Sequence, residues 1–526
     1  MERSVSKKLT ASAPSAAATP RDKIKSVEEI AAIAAQSRSA GRVVVHAHGT
    51  FDLLHLGHVR HLEAARKLGD MLIVTVTADR FVNKGPGRPV FNGPLRAEML
   101  ATLEYVDWVA VNESPDAVTA IDRIAPSIYI KGQDYQNPQG DVTGKIMLER
   151  DAVERHGGRI HFTDEVTFSS TELINRHLNI FEPHVRDHLD TLREDGGLAG
   201  MLDLIERIRD YKVLIVGDAI IDEYQYVLPM GKTPKENMIA TRYQDRELFA
   251  GGVFAAANHV ASFCKQVDII TCLGDHDSHR DLVRQTLLDN VGLTVFERAG
   301  APTTLKRRFV DPSNVRKLFE VYFMNDEPLV DDVQRSLDAK IAAVAGDYDV
   351  VIAADFGHGL ISRSTIDTLT TKSKFLAVNT QSNSANLGYN LITKYPRADY
   401  ICIDGPEARL ALSDRVSSAG DIARAIAERN VDCQKIIITQ GKHGCVTYER
   451  GELVHTIPAF AKNVVDTVGA GDAFLAITSP LVAAGGPMHQ IGFIGNVVGA
   501  LKVEIVGHRR SIDKASLIKG ITGLLK

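Results

Sequence analysis

The sequence lacks the features of membrane, secreted and nucleic-acid-binding proteins. None of its apolar runs reaches the roughly 18–20 residues that a helix needs to cross a bilayer. Its 61 Lys and Arg are outnumbered by 66 Asp and Glu, and a net charge of −5 offers no general basic surface for nucleic acid. The N-terminal segment is rich in Ala, Ser, Thr and Pro and has no apolar signal-peptide core. We expect a cytoplasmic protein with a disordered tail over residues 1–25 and no membrane or nucleic-acid partner; a transit peptide is the alternative for the tail.

Cysteine is scarce, and its spacing carries no pairing pattern. The five cysteines all lie in the second half of the chain, and none forms a CxxC pair. An odd number with irregular spacing gives neither a disulfide framework nor a metal-ligand pattern. The sequence therefore predicts reduced, mostly buried thiols at Cys264, Cys272, Cys402, Cys433 and Cys445.

The chain is too long for one hydrophobic core. Its 526 residues exceed the roughly 250–300 at which a single core stops growing. Short β-branched runs alternate with amphipathic stretches from Val43 to Gly132, and this pattern restarts at Tyr211. Because strands that alternate with helices favour parallel sheets, we predict an α/β protein of two doubly wound domains. The predicted domains are residues 26–181 and 211–526, joined by a charged, helical-period linker at 182–210.

The first candidate site is the segment GTFDLLHLGH, from Gly49 to His58. It follows a predicted buried strand and ends where a helix begins, and helix N-termini attract anions such as a nucleotide triphosphate. His55 and His58 are three residues apart, so both imidazoles can face one ligand, and Gly57 lets the ligand approach closely. Nucleotidyl transfer needs donors of this kind around the α-phosphate and the departing pyrophosphate.

Three later segments carry further phosphate-binding groups. Lys84 lies in a Gly/Pro loop, and Lys131 follows a strand at the sheet edge where open α/β proteins bind ligands. Ser169, Ser170 and Thr171 offer hydroxyls and amides at a predicted helix start. The order of these segments along the chain predicts that one sheet brings them together.

The region from Val43 to about Arg176 resembles the cytidylyltransferase-like nucleotidyltransferases, whose hallmark HxGH is here His55-Leu56-Gly57-His58. Within them it is most similar to the adenylyltransferase half of bifunctional heptose-phosphate kinase/adenylyltransferases. The resemblance implies a Rossmann-like sheet and catalytic roles for His55, His58 and Lys84. It also implies a nucleotide site formed by Gly49, Thr50, Phe51, Lys131, Ser169, Ser170 and Thr171.

The second candidate site is DTVGAGDAF, from Asp466 to Phe474. The amides of Gly469, Ala470 and Gly471 open a helix and can form an anion hole for a phosphoryl group in transfer. Asp472 is then placed to accept the proton of an attacking hydroxyl. Because the chain has no Walker A motif, a P-loop kinase is not supported.

From about Lys212 to Gly507 the chain resembles the ribokinase-like carbohydrate kinases, for which GAGD is diagnostic. The resemblance implies a ribokinase-like sheet with Asp472 as the catalytic base. It implies Mg²⁺ and phosphate roles for Asp404 and Glu407, with Asp404 replacing the usual Asn. It implies a nucleotide site formed by Thr439, Gly441, Gly469, Ala470, Gly471 and Asn496. It implies a sugar site formed by Asp218, Asp222, Gly251 and Gly252.

Some sugar-site positions depart from the kinase half of the heptose enzymes. Ala255 stands where those kinases have Asn, while Gln381 and His358 stand where they have lysines. We therefore expect altered sugar recognition and a substrate other than heptose 7-phosphate in its standard pose. Compensation could come from a nearby basic side chain, and His358 itself is a cation only when protonated. The basic candidates in the sequence are Lys306, Arg307 and Arg308.

These patterns predict a bifunctional enzyme with the two heads in the reverse of the order usual for the heptose enzymes. It would phosphorylate a sugar or sugar phosphate and then transfer a nucleotidyl group to the 1-phosphate, with Mg²⁺ in both steps. Heptose phosphate is the best single substrate, and ATP is favoured over CTP for the first head. The alternative is a nucleotidyltransferase whose kinase-like half is a regulatory or dimerisation module. We expect a homodimer or higher homo-oligomer.

Overall fold

The computed structural model describes residues 19–133, 145–163, 181–194 and 196–526. The chain divides into two compact units. The first comprises residues 1–83 and 88–179, and the second comprises residues 84–87 and 180–526. Within the described ranges, no helix has the length and apolar character needed to span a membrane. Ser169, Ser170 and Thr171, three of the predicted nucleotide-binding residues, lie outside the described residues.

The first unit is built on a five-stranded sheet with the order β3-β2-β1-β4-β5, in which every pairing is parallel. Its strands are β1 Val44–Gly49, β2 Met71–Thr77, β3 Trp108–Asn112, β4 Ile128–Gly132 and β5 Arg159–Thr163. Its helices are Val27–Ser39, Leu56–Arg66, Gly93–Ala101, Val118–Ile124 and Lys145–Arg155. Because β1 is the central strand, the turn that follows it opens at the middle of the sheet's carboxyl edge.

The described part of this unit includes residues before the predicted boundary at residue 26. Pro20–Lys23 forms a 3-10 helix, and the Lys23 ammonium donates to the Leu103 and Val106 carbonyls at 3.0 and 2.8 Å. Ile24 forms an isolated parallel bridge with Val109 of β3. These contacts join the end of the predicted tail to the sheet.

The second unit contains a nine-stranded sheet with the order β10-β9-β6-β13-β14-β15-β16-β17-β18. The seven strands from β10 to β16 run parallel, and β17 and β18 add an antiparallel edge. Its strands are β6 Lys212–Gly217, β9 Gln266–His276, β10 Val291–Pro302, β13 Val350–Asp355, β14 Leu376–Thr380, β15 Arg397–Asp404, β16 Asp432–Thr439, β17 Cys445–Glu449 and β18 His455–Ile457. The parallel strands are apolar along most of their length, as expected for a sheet covered on both faces.

Helices cover this sheet and complete its core. They are Val253–Ala261, Arg280–Thr286, Asp331–Val344, Arg363–Lys372, Gly405–Leu412, Ala419–Ala425, Ala470–Ala483, Met488–Lys502 and Lys514–Leu525. The helices Ala470–Ala483 and Met488–Lys502 are buried almost all round, so they lie inside the unit.

A separate four-stranded sheet, with the order β12-β11-β7-β8, belongs to the same unit. Its strands are β7 Ala219–Lys232, β8 Ile239–Gly252, β11 Leu305–Asp311 and β12 Arg316–Phe323. The strand-helix pattern was predicted to restart at Tyr211; the strand that follows ends at Gly217, and after Asp218 the chain enters the other sheet. Asp218 and Asp222 consequently lie at and just beyond the point where the chain passes from one sheet to the other.

The predicted linker, residues 182–210, is helical and packed. It forms the helices Pro183–Glu194 and Gly197–Arg207, separated at Gly196, whose φ is +66°. Apolar side chains of both helices, among them Leu189 and Leu204, belong to the core of the second unit. This segment is therefore a structural part of that unit.

The predicted fold class is confirmed: both units are α/β with doubly wound parallel sheets. Four of the five cysteines are buried, and Cys272 is half-buried, as their spacing predicted. The four-stranded sheet was not predicted, because its strands are half exposed and interrupted by polar residues.

Candidate active sites

The histidine pair of the first unit lies at the start of the helix Leu56–Arg66. His55 caps this helix, since the Gly57 N–H donates to its Nδ1 at 3.1 Å. The rings of His55 and His58 stack with centroids 3.9 Å apart. Burial lowers the pKa of His55, so its imidazole is neutral near pH 7. Because Nδ1 accepts a hydrogen bond, the proton of His55 lies on Nε2, where it can be donated to a phosphate oxygen.

The turn between β1 and these histidines has a constrained backbone. Phe51 has a φ of +48°, which is uncommon for a residue other than glycine, and its ring lies 5.2 Å from that of His58. A Cβ on Gly49 would lie 3.0 Å from the Phe51 ring. Gly49 therefore lets the Phe51 ring fold back beside the histidine pair.

A buried ion pair anchors this turn. Arg88 Nε donates to Asp52 at 2.5 Å, and both side chains are at least 97% buried. The other oxygen of Asp52 accepts the N–H groups of Val90 and Phe91 at 2.6 and 3.3 Å. Such a pair specifies a geometry more than it adds stability. Arg88 was not predicted as a site residue, although it lies only four residues beyond Lys84, which was.

Arg96 is a second anchor that the sequence interpretation missed. Its guanidinium is fully buried and donates to the carbonyls of Thr50, Thr77 and Phe91 and to the Asp79 carboxylate. These bonds hold the turn after β1 against the turn after β2. The only sequence signal was an arginine at a position in the helix Gly93–Ala101 that faces the apolar core.

Two lysines were also predicted to bind phosphate in the first head. Lys131 is the penultimate residue of β4, and its ammonium pairs with the buried Glu149 carboxylate at 2.7 Å. Burial of His61, and to a smaller extent the positive charge of Lys131, lowers the pKa of His61 to about 4. Lys84 belongs to the second compact unit, so its role in the first head stays a prediction.

In the second unit Asp472 lies in the first turn of the helix Ala470–Ala483. Gly469, with a φ of +73°, caps that helix. A Cβ placed on Gly471 meets nothing within 4 Å, so the space beside the helix start is open. Burial raises the pKa of Asp472 despite a 2.6 Å hydrogen bond from Gln381 Nε2. Gln381, the position of a lost lysine, therefore orients the predicted base.

Asp222 is held by Arg308 and His508 at the predicted sugar site. The Arg308 guanidinium donates to one carboxylate oxygen, and His508 Nε2 lies 3.3 Å from the other. Burial opposes the charged form of Asp222, but these two partners hold its pKa well below the usual range. A Cβ on Gly251 would lie 2.1 Å from the Asp222 carboxylate, so this position requires glycine.

His508 is a site residue that the sequence interpretation missed. Its ring lies against Gly469, where an added Cβ would come within 2.4 Å of Cε1. It therefore lies between Asp222 and the start of the segment Gly469-Ala470-Gly471, which we call the anion loop. The side chain of His508 is 6% exposed. No sequence motif marked it, because Gly507-His508 follows the last helix that the motifs identified.

Asp218, predicted to face the sugar, holds a loop in this structure. Its two carboxylate oxygens accept the main-chain N–H groups of Phe356, His358 and Leu360 at 3.1–3.3 Å. Beside it opens a cavity lined by Asp218, Cys272, Arg298, Thr303, Asn325 and His358. The Arg298 guanidinium donates to the carbonyls of Asn325 and His358, and within the described ranges it pairs with no carboxylate.

The basic side chains that could replace the missing lysines differ in their partners and in their charge. Arg307 pairs with the buried Glu223 at 2.7 Å, and Arg308 is shared between Asp222 and Glu320. Burial lowers the pKa of His358 to about 4, so this ring is neutral near pH 7. His358 therefore does not supply the positive charge that a protonated histidine would bring to this position. The ammonium of Lys306 lies 5.5 Å from the Tyr322 ring centroid. Arg298, which was not considered, lines the cavity.

Asp404 and Glu407 lie at the start of the helix Gly405–Leu412. They form a reciprocal capping box, and the Ser382 N–H also donates to Glu407 at 2.9 Å. Burial, then the Asp404 charge, raises the pKa of Glu407 to about 7. In the described part of the chain no cluster of three or more metal-ligating side chains occurs. Asp404 and Glu407 offer carboxylate oxygens of the kind that Mg²⁺ takes, commonly one or two together with substrate phosphates.

The remaining predicted kinase residues line the same sheet edge or support it. Thr439 ends β16 beside Asp404, and Gly441 follows with a φ of +53°. Asn496 is buried, and its amide donates to the Ile457 and Pro458 carbonyls, both at 3.0 Å. Gly252 has a φ of +53°, and a Cβ added there would lie 2.9 Å from the Asp218 carbonyl oxygen. Asn496 therefore shapes the sheet edge through the main chain.

Two family profiles match the chain in succession. Residues 46–176 match the cytidylyltransferase-like profile, and residues 210–515 match the pfkB family carbohydrate kinase profile. Curated relatives match the N-terminal part of the chain. A bifunctional protein HldE of Trichlorobacter lovleyi is 42% identical over 151 residues, 28% of this chain and 29% of that protein. Another of Syntrophotalea carbinolica is 37% identical over 163 residues, 30% of this chain and 32% of that protein.

The chain thus spans about a third of the length of the curated relatives that it matches. Among solved structures, phosphofructokinase-2 of Escherichia coli has a TM-score of 0.48 at 13% identity, covering 61% of this chain and all of that one. Ribokinase of Arabidopsis thaliana has a TM-score of 0.45 at 18% identity, covering 60% and 99%. Because the carbohydrate kinase profile covers more than half of its length, after a cytidylyltransferase-like region, this chain belongs to the pfkB family of carbohydrate kinases.

Proposed function

We propose that this protein activates a sugar in two steps, with a kinase in the second unit and a nucleotidyltransferase in the first. The kinase phosphorylates the anomeric hydroxyl of a sugar or sugar phosphate, and the other head transfers a nucleotidyl group to the 1-phosphate. The observation that carries the proposal is that His508 lies against both Asp222 and Gly469, the cap of the helix whose first turn holds Asp472. Heptose 7-phosphate is the best single substrate, in a pose altered by the absence of lysines at Gln381 and His358, and AMP is favoured over CMP.

In the kinase step a sugar hydroxyl attacks the γ-phosphorus of ATP, the bond to the β-phosphate oxygen breaks, and ADP leaves. Asp472 accepts the hydroxyl proton, for which its raised pKa is an advantage near neutral pH. The amides of Gly469 to Gly471 stabilise the negative charge of the transferring group. Mg²⁺, held by Asp404 and Glu407, would neutralise charge on the polyphosphate.

In the nucleotidyl step an oxygen of the sugar 1-phosphate attacks the α-phosphorus of the nucleotide, and pyrophosphate leaves. His55 and His58 donate hydrogen bonds as charge builds on the departing oxygens. Arg96 and the Asp52–Arg88 pair fix the turn that presents the two histidines. Sequential use of the heads makes the product of one the substrate of the other.

A phosphorylated sugar is the substrate class that Arg298 favours. Arg298 offers a guanidinium beside Asp218, and a guanidinium binds a phosphate through two hydrogen bonds. The altered positions Gln381 and His358 supply no such charge. Arg298 is therefore our proposed partner for the non-transferred phosphate. Nucleotide sugars of this kind serve surface-polysaccharide synthesis, and we place the protein in the cytoplasm as a homodimer or higher homo-oligomer.

The first prediction tests this substrate class. Arg298→Ala is expected to lower kcat/KM for heptose 7-phosphate by about ten- to a hundredfold, the equivalent of one charge-assisted hydrogen bond. It should leave kcat/KM for the unphosphorylated sugar within about twofold. The exposed Arg284, on a neighbouring helix, gives the matched control Arg284→Ala, which should behave as wild type. Equal losses for both sugars would contradict a phosphate-binding role for Arg298.

A further inference from the structure

One lysine of the kinase unit is completely buried and has no place in the chemistry described above. Lys502 ends the helix Met488–Lys502, and its exposed fraction is 0%. Its ammonium donates to the main-chain carbonyl oxygens of Val468 and Gly507 at 2.8 and 2.7 Å. A buried charge is costly unless it is paired, so its retention here needs a reason.

The two carbonyls belong to the turns that build the kinase site. Val468 immediately precedes Gly469, where the anion loop begins, and Gly507 immediately precedes His508. The Asp466 carboxylate ties the same two turns from the other side, because it accepts the N–H groups of Val468 and Gly507 at 3.1 and 2.7 Å. An ammonium and a carboxylate thus join the two turns through their main chains.

The charge of Lys502 also matters to its surroundings. Burial lowers the pKa of Lys502, while Asp466, Asp472 and Asp222 each favour its charged form. Lys317 faces it as a like charge, and His259 is a further titratable group close by. A fixed cation close to three carboxylates offsets part of their mutual repulsion, and this becomes more important when an anionic nucleotide binds.

We propose that Lys502 is a positioning residue of the kinase site, whose ammonium acts as a built-in cation that holds the anion loop and the His508 turn together. The inference rests on the proposed kinase activity, but its structural part can be tested separately. Removing the ammonium leaves two inward-facing carbonyl oxygens, which a small external cation with N–H donors can satisfy again. A lysine retained only for packing would not show this behaviour.

The test uses the full-length protein with two substitutions. Lys502→Met keeps most of the volume and removes the charge, and we expect kinase kcat to fall by about ten- to a hundredfold, as for a lost bond to a charged group. The KM values should change less, because the loop acts on the transferring phosphate. Lys502→Ala opens space, so ammonium chloride should restore part of its kcat and raise its Tm above the value in tetramethylammonium chloride at equal ionic strength. Lys502→Met should show neither recovery.

The exposed Lys340 provides the matched control, since Lys340→Met should leave kcat and Tm unchanged in both salts. The inference is overturned if Lys502→Met retains wild-type kcat, or if ammonium changes neither rate nor Tm of Lys502→Ala. The Tm comparison needs no turnover. Absence of kinase activity in the wild type would therefore refute the proposed function, while the ammonium-specific Tm shift would still decide the role of Lys502.

Discussion

Asp472→Asn is expected to lower kinase turnover by about a hundred- to ten-thousandfold, the usual contribution of a general base. Asparagine keeps the shape of the side chain and can still contact Gln381, but it cannot accept the proton of the sugar hydroxyl. Pyrophosphate release from a supplied sugar 1-phosphate should be unchanged, because the two reactions use different sheets. Measuring ADP and pyrophosphate separately on one preparation provides both values.

The pH dependence of the kinase reaction is a second, independent test of Asp472 as the general base. Burial raises the pKa of Asp472, so its carboxylate is protonated at a higher pH than an ordinary aspartate. Kinase kcat/KM should therefore fall as the pH drops through this raised pKa, and the fall should be absent from the residual activity of Asp472→Asn. The exposed Asp421, also in a first helical turn, gives the control Asp421→Asn, which should keep the wild-type profile. Near-wild-type kinase turnover in Asp472→Asn would remove Asp472 from the mechanism.

His58→Ala should have the largest effect on the first head. The histidine stacks on His55 at the helix start. In the proposed mechanism it donates to charge that builds only as pyrophosphate leaves. Loss of one such donor costs about a hundred- to a thousandfold in kcat. The KM for the nucleotide should rise much less, because the lost interaction belongs to the transition state.

Pre-steady-state pyrophosphate release, over a range of nucleotide concentrations, separates these two effects. The exposed His156 of the same unit supplies the control, and His156→Ala should match the wild type. Kinase turnover should be normal in both variants. A normal kcat with weaker nucleotide binding would make His58 a ground-state contact only.

The sequence predicted the elements that depend on local backbone chemistry. HxGH and GAGD each place small residues and polar groups at a predicted helix start, and the structure has a helix start at both. The alternation of apolar runs likewise predicted both parallel sheets. These features are recognisable because neighbouring residues in the sequence are also neighbours in space.

Residues that act across the fold could not be predicted in this way. Arg96 joins turns after two strands, and His508 reaches Asp222 across 286 positions of the sequence (508 − 222). Gln381 counted as a missing lysine, yet it orients Asp472. Arg298 became a candidate only when β10 placed it at the cavity. In each case the partner is distant in sequence, so spacing carried no information.

The segment 182–210 shows the same limit for domain organisation. Its charge and helical period resemble those of a connector, and its Gly196-Gly197 break is real. Its amphipathic faces, however, bury Val185, Leu189 and Leu192 in the core of the second unit. An amphipathic helix on a domain surface and one in a connector differ only in what covers the apolar side, which a single sequence does not specify.

In the proposed function both heads act on one sugar, and the kinase product is the substrate of the nucleotidyltransferase. A time course with wild-type protein, heptose 7-phosphate, ATP and Mg²⁺ should release ADP first and pyrophosphate after a lag. Asp472→Asn should release both products from this substrate at least about a hundredfold more slowly, but should release pyrophosphate at once when given the sugar 1-phosphate. If no sugar or sugar phosphate yields ADP with wild-type protein while the 1-phosphate still yields pyrophosphate, the kinase unit is a regulatory or dimerisation module, and the two-step account is wrong.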